Sequence, residues 1–229
     1  MKVEIYSDVV CPWCYIGEKR FERALSAFAG KDEVEVVFRP FQLQPDAPTV
    51  ATPLRPSLER RFGAGTRHML SRVTEAASEE GIRIDWDNAL AVNTLTAHRL
   101  IRLAEREYGA HVQRALVDSL FDAHFTNGED VGDHEVLMDL AVTAGMDRER
   151  VSAYLASTEG LEEVKSEIAD ARLAEITAVP TFVFDGKYVV EGGQPASTFL
   201  QVLEEVQSKS VGETDPADVC EDDSCVVPA

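Results

Sequence analysis

Residues 2–10 form a short, largely apolar run that predicts a β-strand, and the apolar positions after it change to helical spacing. Ile16, Phe21, Leu25 and Phe28 recur on one face of a helix expected from Pro12 to Phe28. Pro12 suits the first helical position because the N–H it lacks would have had no partner there, and Gly30 follows where a C-terminal cap is expected. Val34 to Leu43 is again strand-like. Pro45, Pro48, Pro53 and Pro56 then fall within twelve residues, a density that neither a helix interior nor a central strand tolerates, and they predict a crossover linker. From about Ser57 to Ala174 the pattern is helical, with segments near 57–80, 94–108, 110–125, 134–145 and 148–175 separated at Gly81, Gly109, Gly128 and Gly145, which predicts a body of about five helices. Strand signals return at Pro180-Thr181-Phe182-Val183-Phe184, turn at Asp185-Gly186 and resume at Tyr188-Val189-Val190 as a β-hairpin. A closing helix from Pro195 to Gln207 precedes a polar tail.

The expected architecture is therefore α/β. Residues 1–52 and 176–207 make one discontinuous domain around a sheet, residues 53–175 an all-helical insertion, and residues 208–229 an acidic tail. A hydrophobic content of 45% over 229 residues supplies one sizeable core and a second, inserted one. The first residues carry no basic segment followed by an apolar core and cleavage site, and no run approaches the roughly 18 apolar residues of a membrane helix. A cytoplasmic location is expected, where four cysteines point to redox or metal roles. The net charge of −19 disfavours nucleic acid and anionic membrane surfaces as partners. It leaves an acid-rich source proteome open, and the oligomeric state is not legible.

Two cysteines, Cys11 and Cys14, flank Pro12-Trp13 where the first strand gives way to the first helix. Thiols three apart on a first helical turn share one face and can cycle between dithiol and disulfide. Cys11, nearer the helix start, is expected to be the exposed nucleophile, because free N–H groups and the positive end of the helix dipole stabilise a thiolate there. Cys14 is expected to be the buried resolving thiol. Trp13 and Tyr15 are candidates to border a substrate surface, or to pack as half-buried aromatics. Asp8 is a candidate proton relay, against the plainer expectation that it caps the strand-to-helix turn.

The second pair, Cys220 and Cys225, encloses Glu221-Asp222-Asp223-Ser224. Its neighbouring carboxylates disfavour thiolates, so this pair is expected to be the better reductant and an auxiliary redox couple feeding Cys11 and Cys14; an inert terminus is the alternative. A tetrathiolate zinc site is disfavoured beside Pro12, and no metal is expected. His68, His98, His111, His124 and His134 show no paired ligand spacing and are expected to be surface or core residues.

Cys11-Pro12-Trp13-Cys14 after the first strand, with Ala178-Val179-Pro180-Thr181 opening the late hairpin, resembles thioredoxin-fold oxidoreductases with a helical insertion, the DsbA-like family. Phe38-Arg39-Pro40-Phe41-Gln42-Leu43-Gln44-Pro45-Asp46, Asn93-Thr94 with Ala97-His98-Arg99-Leu100, and Gly192-Gly193-Gln194-Pro195 resemble its FrnE-type branch, and the likeness covers roughly residues 2–207. The resemblance implies a cis peptide bond before Pro180 and a substrate site formed by Pro12, Trp13, Val179, Pro180 and Thr181, with His98 facing the thiol cleft. It also implies a thiol-disulfide oxidoreductase acting on protein or small-thiol substrates. No tightly bound cofactor is implied, and glutathione or another thiol is a candidate reductant. Because the resemblance places histidine where this chain has Trp13, a weaker oxidant than the periplasmic DsbA type is expected. Two other readings share the architecture: a glutathione-dependent isomerase or transferase of the 2-hydroxychromene-2-carboxylate isomerase or kappa type, in which serine commonly stands at the first thiol position, and a redox-linked chaperone.

Overall fold

The structure, a computed structural model, describes residues 1–212; Cys220 and Cys225 lie outside the described residues. β1 (Lys2–Ser7) buries Val3, Ile5 and Ser7 in the alternation a half-buried strand requires. It lies inside a four-stranded sheet of order β2-β1-β5-β6. β2 (Glu35–Pro40) runs parallel to it with Val3 opposite Val36, and β5 (Thr181–Phe184) runs antiparallel with Ile5 opposite Phe182. β6 (Tyr188–Glu191) closes the hairpin, turning through Asp185 and Gly186, both at positive φ.

Helix α1 (Pro12–Ala27) and helix α9 (Ala196–Gly212) pack together over this sheet. Phe21 of α1 lies 5.4 Å from Phe182 and 5.5 Å from Phe199 of α9, ring centroid to centroid, so three aromatic rings from three elements fix the helix against the strands. Gly17 sets how closely α1 seats: a Cβ there would stand 3.0 Å from both Gly193 Cα and Pro180 Cγ. That close approach brings the first turn of α1 against the loop that ends at Pro180.

The helical body comprises α2 (Leu54–Phe62), α3 (Thr66–Glu79), α4 (Leu95–Tyr108), α5 (Ala110–Phe121), α6 (His134–Thr143), α7 (Arg148–Leu155) and α8 (Leu161–Leu173). Seven helices replace the expected five because two long segments are broken. The segment expected over 57–80 starts earlier, at Leu54, and breaks at Gly63, whose φ of 56° stops α2. The segment expected over 148–175 breaks at 156–160, where Gly160 adopts a left-handed φ of 73°. The buried guanidinium of Arg99 donates to the carbonyls of Tyr154, Ser157 and Glu159, meeting the acceptors that the end of α7 leaves open. Neither Gly63 nor Gly160 stood out against the continuous apolar periodicity around it. The segment expected over 110–125 ends as a helix at Phe121 and continues as a π-helical turn over Asp122–Thr126.

Within the expected crossover linker, β3 (Thr52–Pro53) pairs with β4 (Leu90–Ala91), a two-residue ladder too short to leave a period-2 signal. The strand expected over 34–43 spans only β2. Beyond it, Gln42 Nε2 donates to Asn93 Oδ1 at 3.1 Å and Asn93 Nδ2 donates to the Pro45 carbonyl at 2.8 Å, so this stretch is stitched to the start of α4 instead of to a strand. The edge of β2 is closed by a side chain: buried Gln113 of α5 accepts from the Phe38 N–H at 2.9 Å and donates to its carbonyl at 3.0 Å. Among the described residues no helix is long and apolar enough to cross a membrane.

Candidate active site

Cys11 occupies the N-cap of α1 in extended conformation, and its carbonyl accepts from the N–H groups of Cys14 and Tyr15 at 3.0 and 3.3 Å. Its own N–H donates to the Asp8 carbonyl at 2.9 Å, which fixes the turn between β1 and the helix. Both thiols are free. The Cys11 thiol donates to the Val179 carbonyl at 3.7 Å, a long contact of the kind sulfur makes. The Val179–Pro180 peptide bond is cis, as the resemblance implies.

The expected exposure of Cys11 is not found. Only 5% of the residue is accessible, because the Val179 loop covers it on one side and the walls of a cavity surround it on the other. That cavity, about 290 Å³, is where Cys11 meets the outside. Val10, Pro12 and Trp13 form its floor with Cys11. Leu43 and Val92 supply one wall, Leu58, Arg61, Phe62 and Met69 from α2 and α3 another, and Trp86 and Val179 complete the enclosure. Cys14 is buried behind Cys11 and does not line the cavity. Burial pushes the Cys14 thiol well above its ordinary pKa and the neighbouring Cys11 thiol adds to this, against hydrogen bonds from the Ser7 side chain and the Asp8 backbone.

Asp8 does not cap α1, since no side chain caps that helix. Asp8 is a buried residue of the cavity lining, where its Oδ2 accepts from the Leu43 N–H at 2.8 Å and its Oδ1 lies 3.3 Å from His98 Nε2. A carboxylate that ties the 41–47 loop to α4 is occupied by tertiary partners and has no reason to turn back to its own helix. His98 is buried against Asp8, outside the lining of the Cys11 cavity, so it is not positioned to touch a substrate there. Thr181 is also buried, and its hydroxyl donates to the Ala178 carbonyl at 2.8 Å, holding the loop before the cis bond. Pro180 is buried against Gly17, leaving Val179 as the residue of that loop that faces the cavity. Tyr15 does not border the cavity; it is buried, stacked at 5.0 Å on Phe121. His124, on the π-helical turn, is fully buried with no partner for either ring nitrogen among the described residues; burial pulls it down to about 4, against Asp8, so it is neutral at physiological pH.

A second titratable group lies one helical turn past Cys14. Glu18 of α1 is 2% exposed, and its carboxyl oxygens lie with those of Glu22 and Asp118 in one cluster against Lys19 and Arg114. Burial, then the nearby Asp118 carboxylate, pushes Glu18 up to about 8. The folded chain therefore retains a proton that the unfolded chain releases near pH 4.5, so Glu18 costs stability increasingly as pH rises from about 4.5 to about 8. Glu18→Gln, neutral throughout, is expected to gain stability relative to wild type over that window, on the order of 3 kcal/mol by about pH 9. Denaturant midpoints of both proteins at about pH 5 and about pH 9 test this; an equal difference at both pH values would refute it.

Residue patterns did not single out the apolar wall from α2 and α3 or the arginines beside it. The available signal was charge: residues 54–74 hold Arg55, Arg60, Arg61, Arg67 and Arg72 against Glu59 alone, in a chain whose net charge is −19.

A dithiol at a helix N-terminus, faced by a cis-proline loop across a mixed four-stranded sheet, defines a thioredoxin-fold site carrying a helical insertion. The DSBA-like thioredoxin domain model matches residues 2–204, and the chain belongs to that family. It is 36% identical to a probable DsbA oxidoreductase from Streptomyces coelicolor, with both chains fully covered and a TM-score of 0.83. It is 28% identical to the uncharacterized protein YwbO of Bacillus subtilis, over 90% of this chain and 98% of that one. Likeness in fold alone extends to a 2-hydroxychromene-2-carboxylate isomerase (16% identity, TM-score 0.69, covering 94% of this chain and all of the other). It extends equally to the cytosolic disulfide reductase DsbM of Pseudomonas aeruginosa, solved with GSH (20% identity, TM-score 0.64, covering 91% and all).

Proposed function

We propose that this protein is a cytoplasmic thiol-disulfide oxidoreductase in which Cys11 exchanges with the substrate and Cys14 resolves the mixed disulfide. The observation that carries this reading is the division of the two thiols: Cys11 at the helix N-terminus on the cavity floor, Cys14 sealed behind it. In the oxidising direction for the enzyme, the Cys11 thiolate attacks one sulfur of a substrate disulfide and releases the other as a thiol. Cys14 then loses its proton and attacks Cys11 Sγ, releasing the second substrate thiol, so two electrons pass from the dithiol to the substrate disulfide. Trp13 and Val179 would border the bound segment, with Pro180 and Thr181 shaping the Val179 loop, and the buried carboxylate of Asp8 would take the Cys14 proton. Glutathione or another small thiol would return the electrons; the cytosolic reductase solved with GSH supports such a donor and such a compartment. Assignment to the FrnE-type branch rests on the motifs around Phe38, Asn93 and Gly192.

Cys220 and Cys225 would form the auxiliary couple, and chain length constrains which of them reaches Cys11. α9 runs beside α1 with Gln207 near Gly30, at the end of α1 remote from the thiols, about 24 Å from Cys11 for a helix of this length. Eight residues separate Gly212 from Cys220, a span of at most ~28 Å, whereas the thirteen to Cys225 span up to ~45 Å. Cys225 is the better candidate for exchange in cis.

Equilibration in glutathione redox buffers, with disulfides counted by mass, tests the reading. A reversible two-electron couple that links Cys11 to Cys14 and disappears in Cys11→Ser is expected. No reversible couple between these thiols would overturn it. An intact first thiol counts against the isomerase reading, which the likeness in fold alone favours.

A further inference from the structure

We infer that the arginine surface of α2 and α3 selects acidic polypeptide segments for the Cys11 cavity, with an apolar side chain beside the substrate cysteine as anchor. The inference rests on the oxidoreductase reading and names its substrate class.

Acidic residues outnumber basic ones 41 to 22, so an arginine here has carboxylates to choose from. Elsewhere Arg20, Arg39, Arg102, Arg114 and Arg150 are each engaged by one or more of them. Arg60, Arg61, Arg67 and Arg72 are exposed, and none makes an ion pair with any described residue; Arg61 lies 5.3 Å from the Phe62 ring centroid instead. Arg61 is part of the lining of the cavity that reaches Cys11, and the other three unpaired guanidinium groups stand on the same two helices that wall it, so this side of the cavity carries a local excess of positive charge.

Two features favour a polypeptide over a small anionic thiol. At about 290 Å³ the cavity is the size of a bulky side chain or two, and Leu43 and Phe62, 39% and 44% exposed, form an apolar mouth. Beyond Arg61 in the lining, the positive charge is spread over Arg60 in the last turn of α2 and over Arg67 and Arg72 of α3. A single carboxylate would meet Arg61 alone, whereas a segment carrying several carboxylates would also be drawn by the combined field of the other three. The rest of the surface repels acidic partners at long range, so the preference is local and directs the segment to this face.

The test uses the full chain and disulfide-linked homodimers of synthetic peptides with one central cysteine flanked by leucine, carrying glutamate, glutamine or lysine at the outer positions. Second-order rate constants for oxidation of the reduced enzyme would be measured at roughly physiological ionic strength. At least tenfold faster reaction of the glutamate peptide than the lysine peptide is expected. In R60Q/R61Q/R67Q/R72Q that ratio should fall to within about twofold, a loss of discrimination that general damage to the fold would not produce. Equal rates in the wild type, or a ratio unchanged in the variant, would overturn the inference. So would a preference that appears only when Glu213, Asp215, Asp218, Glu221, Asp222 and Asp223 are neutralised, which would assign the surface to the chain's own acidic segment. Uncharged bis(2-hydroxyethyl) disulfide separates the two levels: if it fails to oxidise Cys11 and Cys14 the oxidoreductase reading falls, and if it succeeds without charge preference among the peptides only this inference falls.

Discussion

Cys11→Ser is expected to reduce disulfide exchange to background, a loss of at least about a thousandfold or ~4 kcal/mol of transition-state stabilisation, while Cys14→Ser traps the substrate. The asymmetry follows from position. Cys11 alone of the two meets the cavity, so only its sulfur can be approached in line by a substrate disulfide. A serine hydroxyl at the same N-cap is hardly ionised at neutral pH and is a far weaker nucleophile than a thiolate. In Cys14→Ser the first exchange survives but nothing displaces the substrate from Cys11 Sγ, and mass spectrometry should find one substrate thiol added per chain. The burial that pushes the Cys14 thiol upward reinforces this order, because a protonated Cys14 does not compete for the first attack. Trapping in Cys11→Ser and not in Cys14→Ser would reverse the assignment.

The second large effect is expected at Asp8. Asp8→Ala removes the acceptor of the Leu43 N–H and the partner of His98 together, both inside the fold. Buried groups left unsatisfied cost about 1–3 kcal/mol each, so a loss on the order of 3 kcal/mol in stability is expected. Asp8→Asn keeps an oxygen for Leu43 and an amide for His98 and should recover most of that loss, but an amide takes up no proton. If Asp8 receives the Cys14 proton, release of the second substrate thiol should slow by roughly tenfold in Asp8→Asn, and its pH profile should move upward, since the raised Cys14 thiol must then ionise without help. Stopped-flow measurement of that release across pH separates the roles. Profiles that superimpose, with stability restored, would leave Asp8 a purely structural tie.

Local rules made much of the scaffold legible. Alternation in β1, the apolar spacing of α1, Pro12 at its first position and the Asp185-Gly186 turn act within a few residues, and each appears in the fold where the pattern placed it. The helix breaks at Gly63 and Gly160 were not legible. Their positive φ is held by loops whose satisfaction comes from afar, as when Arg99 supplies donors to the turn after α7. The thiol pair was legible because three-residue spacing on a first turn is a local geometric fact. Its surroundings were not: Asp8 meets Leu43 and His98 across 35 and 90 residues, which no neighbourhood along the chain encodes.

The sequence by itself determined the opening strand, helix and strand, the late hairpin with its closing helix, and the dithiol at a helix start, because backbone geometry and turn chemistry act over a few residues. Tertiary structure alone decided that Cys11 is enclosed and not exposed, that Asp8 ties two distant segments instead of capping a helix, and that an unpaired Arg61 lines the cavity. Burial and charge pairing are properties of which distant surfaces meet, and only the folded chain brings them together.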